Sequence, residues 1–242
     1  KETSTSGSPI FTNGDEVISK AKNINEAIDI IRSRPRNANW SFVISSAQDK
    51  DAVVVEMSPR KTYIRNSKDS TLTQTNFFNT EKLKKKEALI SRGRHDDDWG
   101  RIARMNYLLD QNKGNITPQD MIHLLGDHTD PWSNEEKVFG NTISVTTTVK
   151  SVVFSPEDQK FWISTRNESP TGLGDFLEVD VNNFWTENRS TTTLPGKSPQ
   201  NAQLKSDIRN YRQAYISWHL ENHLPNYQEQ TLQHLRNALS AK

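Results

Sequence analysis

Apolar and polar positions first form a strong pattern between residues 41 and 78. Residues 41–47 and 52–57 are rich in β-branched side chains and are separated by a short polar segment, which is typical of a β-hairpin. The apolar run at 53–55 has no polar interruption and predicts a strand covered on both faces. The extended pattern continues after this hairpin, so we expect Asn76 to lie at the end of a strand.

A second hairpin is predicted in the middle of the chain. Residues 141–154 alternate between hydroxyl and β-branched side chains, and the apolar segment 160–164 follows a turn that contains Ser-Pro. Residues 176–181 predict one more strand. Two separate regions of strand pattern with helices around them favour an α+β fold.

Apolar residues at helical spacing predict six helices. Two of them meet near Asn23, and the others cover about 99–110, 118–125, 204–221 and 227–239. Asn23 with Glu26, and Thr117 with Asp120, form helix-capping signals. The acidic residues 96–98 are expected to cap the helix that follows them. Pro225 separates the last two helices, which predicts a C-terminal helical hairpin.

The segment 186–202 is polar and contains two prolines and a glycine, which is typical of a linker. We therefore predict three parts: a main domain at residues 1–185, a linker at 186–202 and a helical appendage at 203–242. A chain of 242 residues is long enough for this arrangement.

Composition narrows the functional classes. The chain has 31 basic and 30 acidic residues, so no overall field favours nucleic acid or an anionic membrane, and we expect no nucleic-acid partner. No apolar run approaches the length of roughly 18 residues that predicts a membrane-spanning helix. The sequence does not indicate the cellular compartment of the protein. The chain has no cysteine, which excludes disulfides, thiolate metal sites and a cysteine nucleophile within these residues.

Asn76 and Arg101 are the first candidates for chemistry. An amide at a strand end can be held rigidly enough to polarise a carbonyl, although a turn-forming asparagine explains the same position. On the predicted helix, Arg101 projects on the side of the apolar stripe while Arg104 points further away. Arg101 needs an anionic or carbonyl partner there, unless its long stem carries the charge to water.

Three further clusters have simpler explanations. The basic residues between 81 and 94 suggest a phosphate or coenzyme site, but solvation explains such a cluster as well. Asp127 and His128 form either a catalytic pair or a local turn. His219 and His223 have spacing that suits a metal edge, but no third ligand accompanies them, so we predict no metal site. No phosphate-binding glycine-rich loop is present, and we predict no cofactor.

Several short motifs occur in an order that matches a known family. They are Asn25-Glu26-Ala27-Ile28, Val54-Val55-Glu56-Met57-Ser58-Pro59, Thr75-Asn76-Phe77-Phe78, the helix with Arg101, Leu124 to His128, and Ser151-Val152-Val153-Phe154-Ser155-Pro156. Over residues 9–180 the chain resembles the autoproteolytic acyltransferases, the isopenicillin-N acyltransferase-like family of N-terminal-nucleophile (Ntn) hydrolases. Penicillin V acylase, bile salt hydrolase and acid ceramidase are more distant relatives of that family.

The resemblance implies a four-layer αββα sandwich of two antiparallel sheets, of which this chain would form the C-terminal portion. It also implies a cysteine nucleophile that self-cleavage exposes at a new N-terminus. Asn76 matches the asparagine that helps to build the oxyanion site, and Arg101 matches an arginine that supports the site. One departure is Phe77, which stands where the family often has histidine.

These implications lead to three functional hypotheses. In the first, the chain is the larger C-terminal fragment of an amide-bond hydrolase or acyltransferase. Its cysteine then lies in an N-terminal fragment of the same precursor, and its substrate is a small acyl-amide or acyl-thioester. In the second, the protein has lost the chemistry and is a non-catalytic binding protein with the sandwich fold. In the third, the C-terminal helices form an interaction module. The first predicts that this chain by itself is inactive.

Overall fold

The computed structural model describes residues 7–67, 69–85, 92–186 and 192–239, and only the backbone at 92–96. The described helices are α1 Ile10–Lys20, α2 Ile24–Ser33, α3 Glu81–Lys84, α4 Arg92–Gln111, α5 Pro118–Leu125, α6 Ala202–His219 and α7 Tyr227–Leu239. The described strands are β1 Trp40–Ser46, β2 Asp51–Met57, β3 Thr62–Asn66, β4 Val152–Ser155, β5 Lys160–Ser164, β6 Phe176–Asp180 and β7 Thr193–Leu194. Helices with two antiparallel sheets make this an α+β protein, as predicted.

The chain divides into two compact units. The first contains Lys1–Asp98 with Pro156–Asp158, and the second contains Trp99–Ser155 with Gln159–Lys242.

The first unit is built on the sheet β1-β2-β3, in which both neighbouring pairs are antiparallel. Helices α1 and α2 cover one face of this sheet, where their isoleucines form a core with Val53, Val55 and Met57. Val54 and Glu56 alternate with these residues along β2 and are also completely buried. β2 is therefore covered on both faces, which confirms the prediction from its apolar run.

The second unit is built on the antiparallel sheet β4-β5-β6-β7. Ile122 of α5 packs in a core with Val153, Trp162 and Phe176. The predicted helix start at Thr117 is present and forms a capping box: the Thr117 side chain accepts a hydrogen bond from the Asp120 backbone, and the Asp120 carboxylate accepts one in return. This cap fixes the start of α5. The helix ends at Leu125, directly before Gly126 and Asp127.

The first strand of the second predicted hairpin is shorter than expected, because β4 begins only at Val152 and residues 141–151 lie outside a strand. Two further boundaries differ from the prediction. β3 ends at Asn66, so Asn76 lies in an irregular segment ten residues further on and not at a strand end. Helix α4 begins at Arg92, so the acidic residues 96–98 lie inside the helix instead of capping it. The local pattern misplaced both ends because polar residues that suit a turn or cap are also tolerated within a helix or a braced loop.

The division at 186–202 stays a prediction. The described part of this segment contributes β7, which pairs with β6. Helix α6, which follows it, places Leu204 and Ile208 in a buried cluster with Leu173. Helices α6 and α7 lie against each other, with the rings of Trp218 and Tyr227 5.7 Å apart.

None of the helices in the described ranges combines the length and the apolar character that a membrane crossing requires. Residues 86–91 of the predicted basic cluster lie outside the described residues.

Candidate functional site

Asn76 lies on an exposed part of the irregular segment after β3, within the first unit. Its backbone N–H donates to the Asp98 carboxylate at 3.1 Å, and Asp98 itself is buried. Two residues further along, Phe78 is also buried. The main chain at Asn76 is therefore anchored by its neighbours while the residue remains accessible to solvent.

Gln74 braces the same segment from within. Its side-chain nitrogen donates to the carbonyl oxygens of Phe77, at 2.6 Å, and Thr75, at 3.0 Å. Its side-chain oxygen accepts from Asn79 Nδ2 at 3.1 Å and from Arg65 Nη2 at 2.7 Å. Arg65 Nη2 also donates to the Thr73 carbonyl at 2.6 Å. Residues on both sides of Asn76 are thus hydrogen-bonded to one amide side chain.

Glu56 of β2 holds the far end of the segment. This carboxylate is completely buried, and its two oxygens accept from the backbone N–H groups of Asn79, at 2.7 Å, and Thr80, at 2.9 Å. Arg65 Nε lies 3.9 Å from Glu56 Oε1. Burial lowers the pKa of Arg65, and the charge of Glu56 opposes that shift. A buried acid with two main-chain donors is a strong restraint on the backbone that carries them.

A second polar cluster lies in the second unit, around Asp127. Arg104 donates through Nε and Nη2 to the two oxygens of this buried carboxylate, at 2.9 and 3.0 Å. Lys197 donates to Asp127 Oδ2, and Thr129 donates its backbone N–H to Oδ1 at 3.0 Å. Burial would raise the pKa of Asp127, but the hydrogen bonds from Arg104 and Lys197 outweigh it and hold that pKa below its usual range.

Gly126 permits this arrangement. A side-chain carbon at Gly126 would lie 2.8 Å from the backbone oxygens of both Gly172 and Lys197. Carbon and oxygen do not approach that closely, so only glycine lets the segment with Lys197 reach the end of α5. Lys197 thereby comes within hydrogen-bonding distance of Asp127, the residue that follows Gly126.

His128 is buried beside this cluster. Its Nδ1 donates to the Lys137 carbonyl at 3.1 Å, because a carbonyl can only accept. Its buried Nε2 has no hydrogen-bond partner among the described residues. Burial lowers the pKa of His128 to about 4, against the opposing effects of the Lys137 hydrogen bond and the Asp127 charge. The imidazole is therefore neutral at physiological pH.

Arg101 is half-buried on α4, three residues before Arg104, and belongs to the second unit. The helical pattern placed Arg104 further from the apolar stripe than Arg101, and it did not predict that Arg104 forms a bidentate pair with the buried Asp127. Helical spacing relates each arginine only to the apolar stripe of its own helix. It contains no information on a carboxylate that is 23 residues away in the sequence.

An open pocket of the second unit lies between the last turns of α4 and helix α5. Its volume is about 170 Å³, and its walls include Leu108, Met121 and Leu124. His123 and Lys197 also line it. Half of its lining residues are polar or charged, and one of them is Lys197, whose ammonium binds Asp127.

No group of three or more potential metal ligands occurs among the described residues. The ring of His219 lies beside that of Tyr215, with the centroids 4.4 Å apart and the planes tilted by 40°, and His223 is exposed.

The model of a family described as acyl-coenzyme A:6-aminopenicillanic acid acyl-transferase matches residues 1–170. The chain belongs to this acyltransferase family. The matched region contains both sequence-predicted site residues, Asn76 and Arg101, and it also contains Glu56 and Asp127. No curated protein and no solved structure gives a significant match to the chain.

The sequence pattern singled out Asp127, but it did not predict the groups that bind Asp127 or Glu56. Glu56 did leave a signal, because it is an acid inside an otherwise apolar strand. A charged residue in a doubly covered strand requires a buried partner, although the pattern does not say which one.

Proposed function

We propose that this chain is the larger, C-terminal part of an amide-bond hydrolase or acyltransferase of the Ntn-hydrolase superfamily. Membership of the acyltransferase family over residues 1–170 carries this proposal. The chain has no cysteine, so the cysteine nucleophile that such enzymes use has to be supplied by another segment. We assign that segment to the N-terminal part of the same precursor, released by self-cleavage.

The corresponding fold is the αββα sandwich, with a helical hairpin of α6 and α7 after it. Two observations favour it. Each unit has an antiparallel sheet with helical residues packed on it, from α1 and α2 in the first unit and from α5 in the second. In the first unit, the opposite face of β2 is also buried, as a strand inside a sandwich has to be.

In the proposed reaction Asn76 donates a hydrogen bond to the carbonyl oxygen as negative charge develops on it. The role suits an amide on an accessible segment whose main chain is braced on both sides. Arg101 has a supporting role and takes no part in proton transfer. The substrate is a small acyl-amide or acyl-thioester, and the proposal requires neither a metal nor another cofactor.

The proposal is tested by detecting the covalent acyl-enzyme intermediate. The processed natural protein, with every segment that remains bound to this chain, is incubated with p-nitroanilides of straight-chain acids from acetyl to decanoyl. Intact-mass spectrometry is expected to find the acyl group on the N-terminal cysteine of the bound segment. This chain, purified by itself, is expected to release no nitroaniline.

Two results would overturn the proposal. One is an acyl group carried by this chain, because the nucleophile would then lie within it. The other is the absence of both acyl transfer and nitroaniline release across the series, which would favour the non-catalytic binding protein instead.

A further inference from the structure

Glu56 is a buried acid whose hydrogen bonds all serve a neighbouring segment. Removal of a carboxylate from water is unfavourable unless hydrogen bonds or charges replace the lost hydration. Glu56 meets this requirement with the backbone N–H groups of Asn79 and Thr80, and with Arg65 at 3.9 Å. The two N–H groups belong to consecutive residues and point at separate oxygens of one rigid carboxylate, so they fix the orientation of the peptide that joins them.

Asn79 and Thr80, whose backbone N–H groups donate to Glu56, lie three and four positions after Asn76. Between them and Asn76, the carbonyl of Phe77 is held by Gln74, which Asn79 and Arg65 hold in turn. Arg65 lies 3.9 Å from Glu56 and donates a hydrogen bond to Gln74. It therefore links the two side chains that hold this segment. If the Asn79 backbone moved, the hydrogen-bonded segment that carries Asn76 would move with it.

We propose that Glu56 is a positioning residue for the reaction, acting through the main chain of residues 74–80 to aim the Asn76 amide at the reacting carbonyl. The inference rests on the proposed function of Asn76. An oxyanion donor is effective only when it is already oriented for the transition state, and a displacement of about 1 Å can lower a rate about 100-fold. Such precision is difficult for an irregular loop unless a rigid element holds it, and β2 is a central, doubly covered strand.

The chemistry of the clamp requires glutamate. Glu56→Gln keeps the shape of the side chain but turns an N–H₂ group towards one of the two backbone N–H groups, which replaces an attraction with a repulsion. Glu56→Asp shortens the side chain by one methylene, so that it no longer reaches both donors. Thr80→Pro removes one donor from the other side, and the φ of −71° at Thr80 already suits proline.

The test measures kcat and KM for the p-nitroanilide that the intact, processed protein hydrolyses fastest. We expect Glu56→Gln and Thr80→Pro to lower kcat per folded molecule by about 10-fold to 100-fold, with KM changed far less. The backbone amide of Asn79 should exchange its hydrogen faster in both variants. In Asn76→Ala, whose donor is already absent, adding Glu56→Gln should lower kcat no further. Glu178→Gln is the control, since Glu178 also lies on a strand but pairs with Lys160.

The outcomes separate this inference from the function on which it rests. If Asn76→Ala is slow while Glu56→Gln and Thr80→Pro keep the parental kcat per folded molecule, Glu56 is only structural and the inference is wrong. Independent, multiplicative effects of Glu56→Gln and Asn76→Ala contradict it as well. If Asn76→Ala is as fast as the parent, the proposed oxyanion role itself fails.

Discussion

Arg104 donates two parallel hydrogen bonds to the buried Asp127, from Nε at 2.9 Å and from Nη2 at 3.0 Å. The carboxylate is completely buried, and the arginine side chain is about one-tenth exposed. Lys197 approaches the same carboxylate from a segment 70 residues away in sequence. The pair therefore joins α4, the end of α5 and the segment before α6 within the second unit.

Loss of this arginine should destabilise the second unit. Arg104→Gln leaves Asp127 buried with only Lys197 as a cationic partner, and breaking a buried pair from one side costs about 3–5 kcal/mol. Because Lys197 remains, we expect the lower end of that range in urea unfolding followed by circular dichroism. Arg209→Gln, on an exposed position of α6, should change the free energy of unfolding by less than about 0.5 kcal/mol. Equal effects of the two variants would show that the Asp127 pair contributes no stability.

The buried His128 predicts a defined dependence of stability on pH. Its pKa is lowered from 6.5 to about 4, so the unfolded chain takes up a proton that the folded protein does not. The corresponding stability is complete above pH 6.5 and is lost as the pH falls towards 4, by up to about 3 kcal/mol. Asp127 and Asp130 have pKa values below 3.8, so their contributions are lost only at lower pH.

Urea unfolding at several pH values between 7 and 4 checks this prediction. His128→Asn removes the titrating ring and keeps a donor for the Lys137 carbonyl, so the slope in this range should become shallower. His123→Asn, at an exposed position of α5, should keep the parental slope. A parental slope in His128→Asn would mean that another group is responsible.

Deletion of the C-terminal helices tests the predicted domain division. We expect a chain without residues 203–242 to keep one cooperative unfolding transition, at a lower free energy, because Leu204 and Ile208 no longer cover Leu173. Leu204→Ala in the full chain should reproduce part of that loss, about 2–5 kcal/mol. A deletion variant with no cooperative transition would show that these helices belong to the main domain.

The sequence predicted those parts of the fold that depend on near neighbours. The hairpins β1-β2 and β4-β5 and the capping box of Thr117 and Asp120 follow from periodicity and turn chemistry within a few residues. The position of Asn76 did not follow, because its segment is shaped by Glu56 and Arg65 of the sheet. The partner of Arg104 did not follow either, since helical spacing contains no information on contacts from distant segments.

Asn76 is the residue on which the proposed chemistry depends most. Asn76→Ala leaves the backbone clamps of Glu56 and Gln74 in place, so the free energy of unfolding should change by no more than about 1 kcal/mol. Asn115→Ala is the matched control, because Asn115 is also exposed and lies outside an element of secondary structure.

The decisive measurement is kcat per folded molecule of Asn76→Ala, in the processed protein with its N-terminal segment present, on the p-nitroanilide that the parent hydrolyses fastest. We expect a fall of about 10²–10³-fold, the usual effect of removing one oxyanion donor, with Asn115→Ala unchanged. A variant with lowered stability and parental kcat would contradict the account, because Asn76 would then be a structural residue.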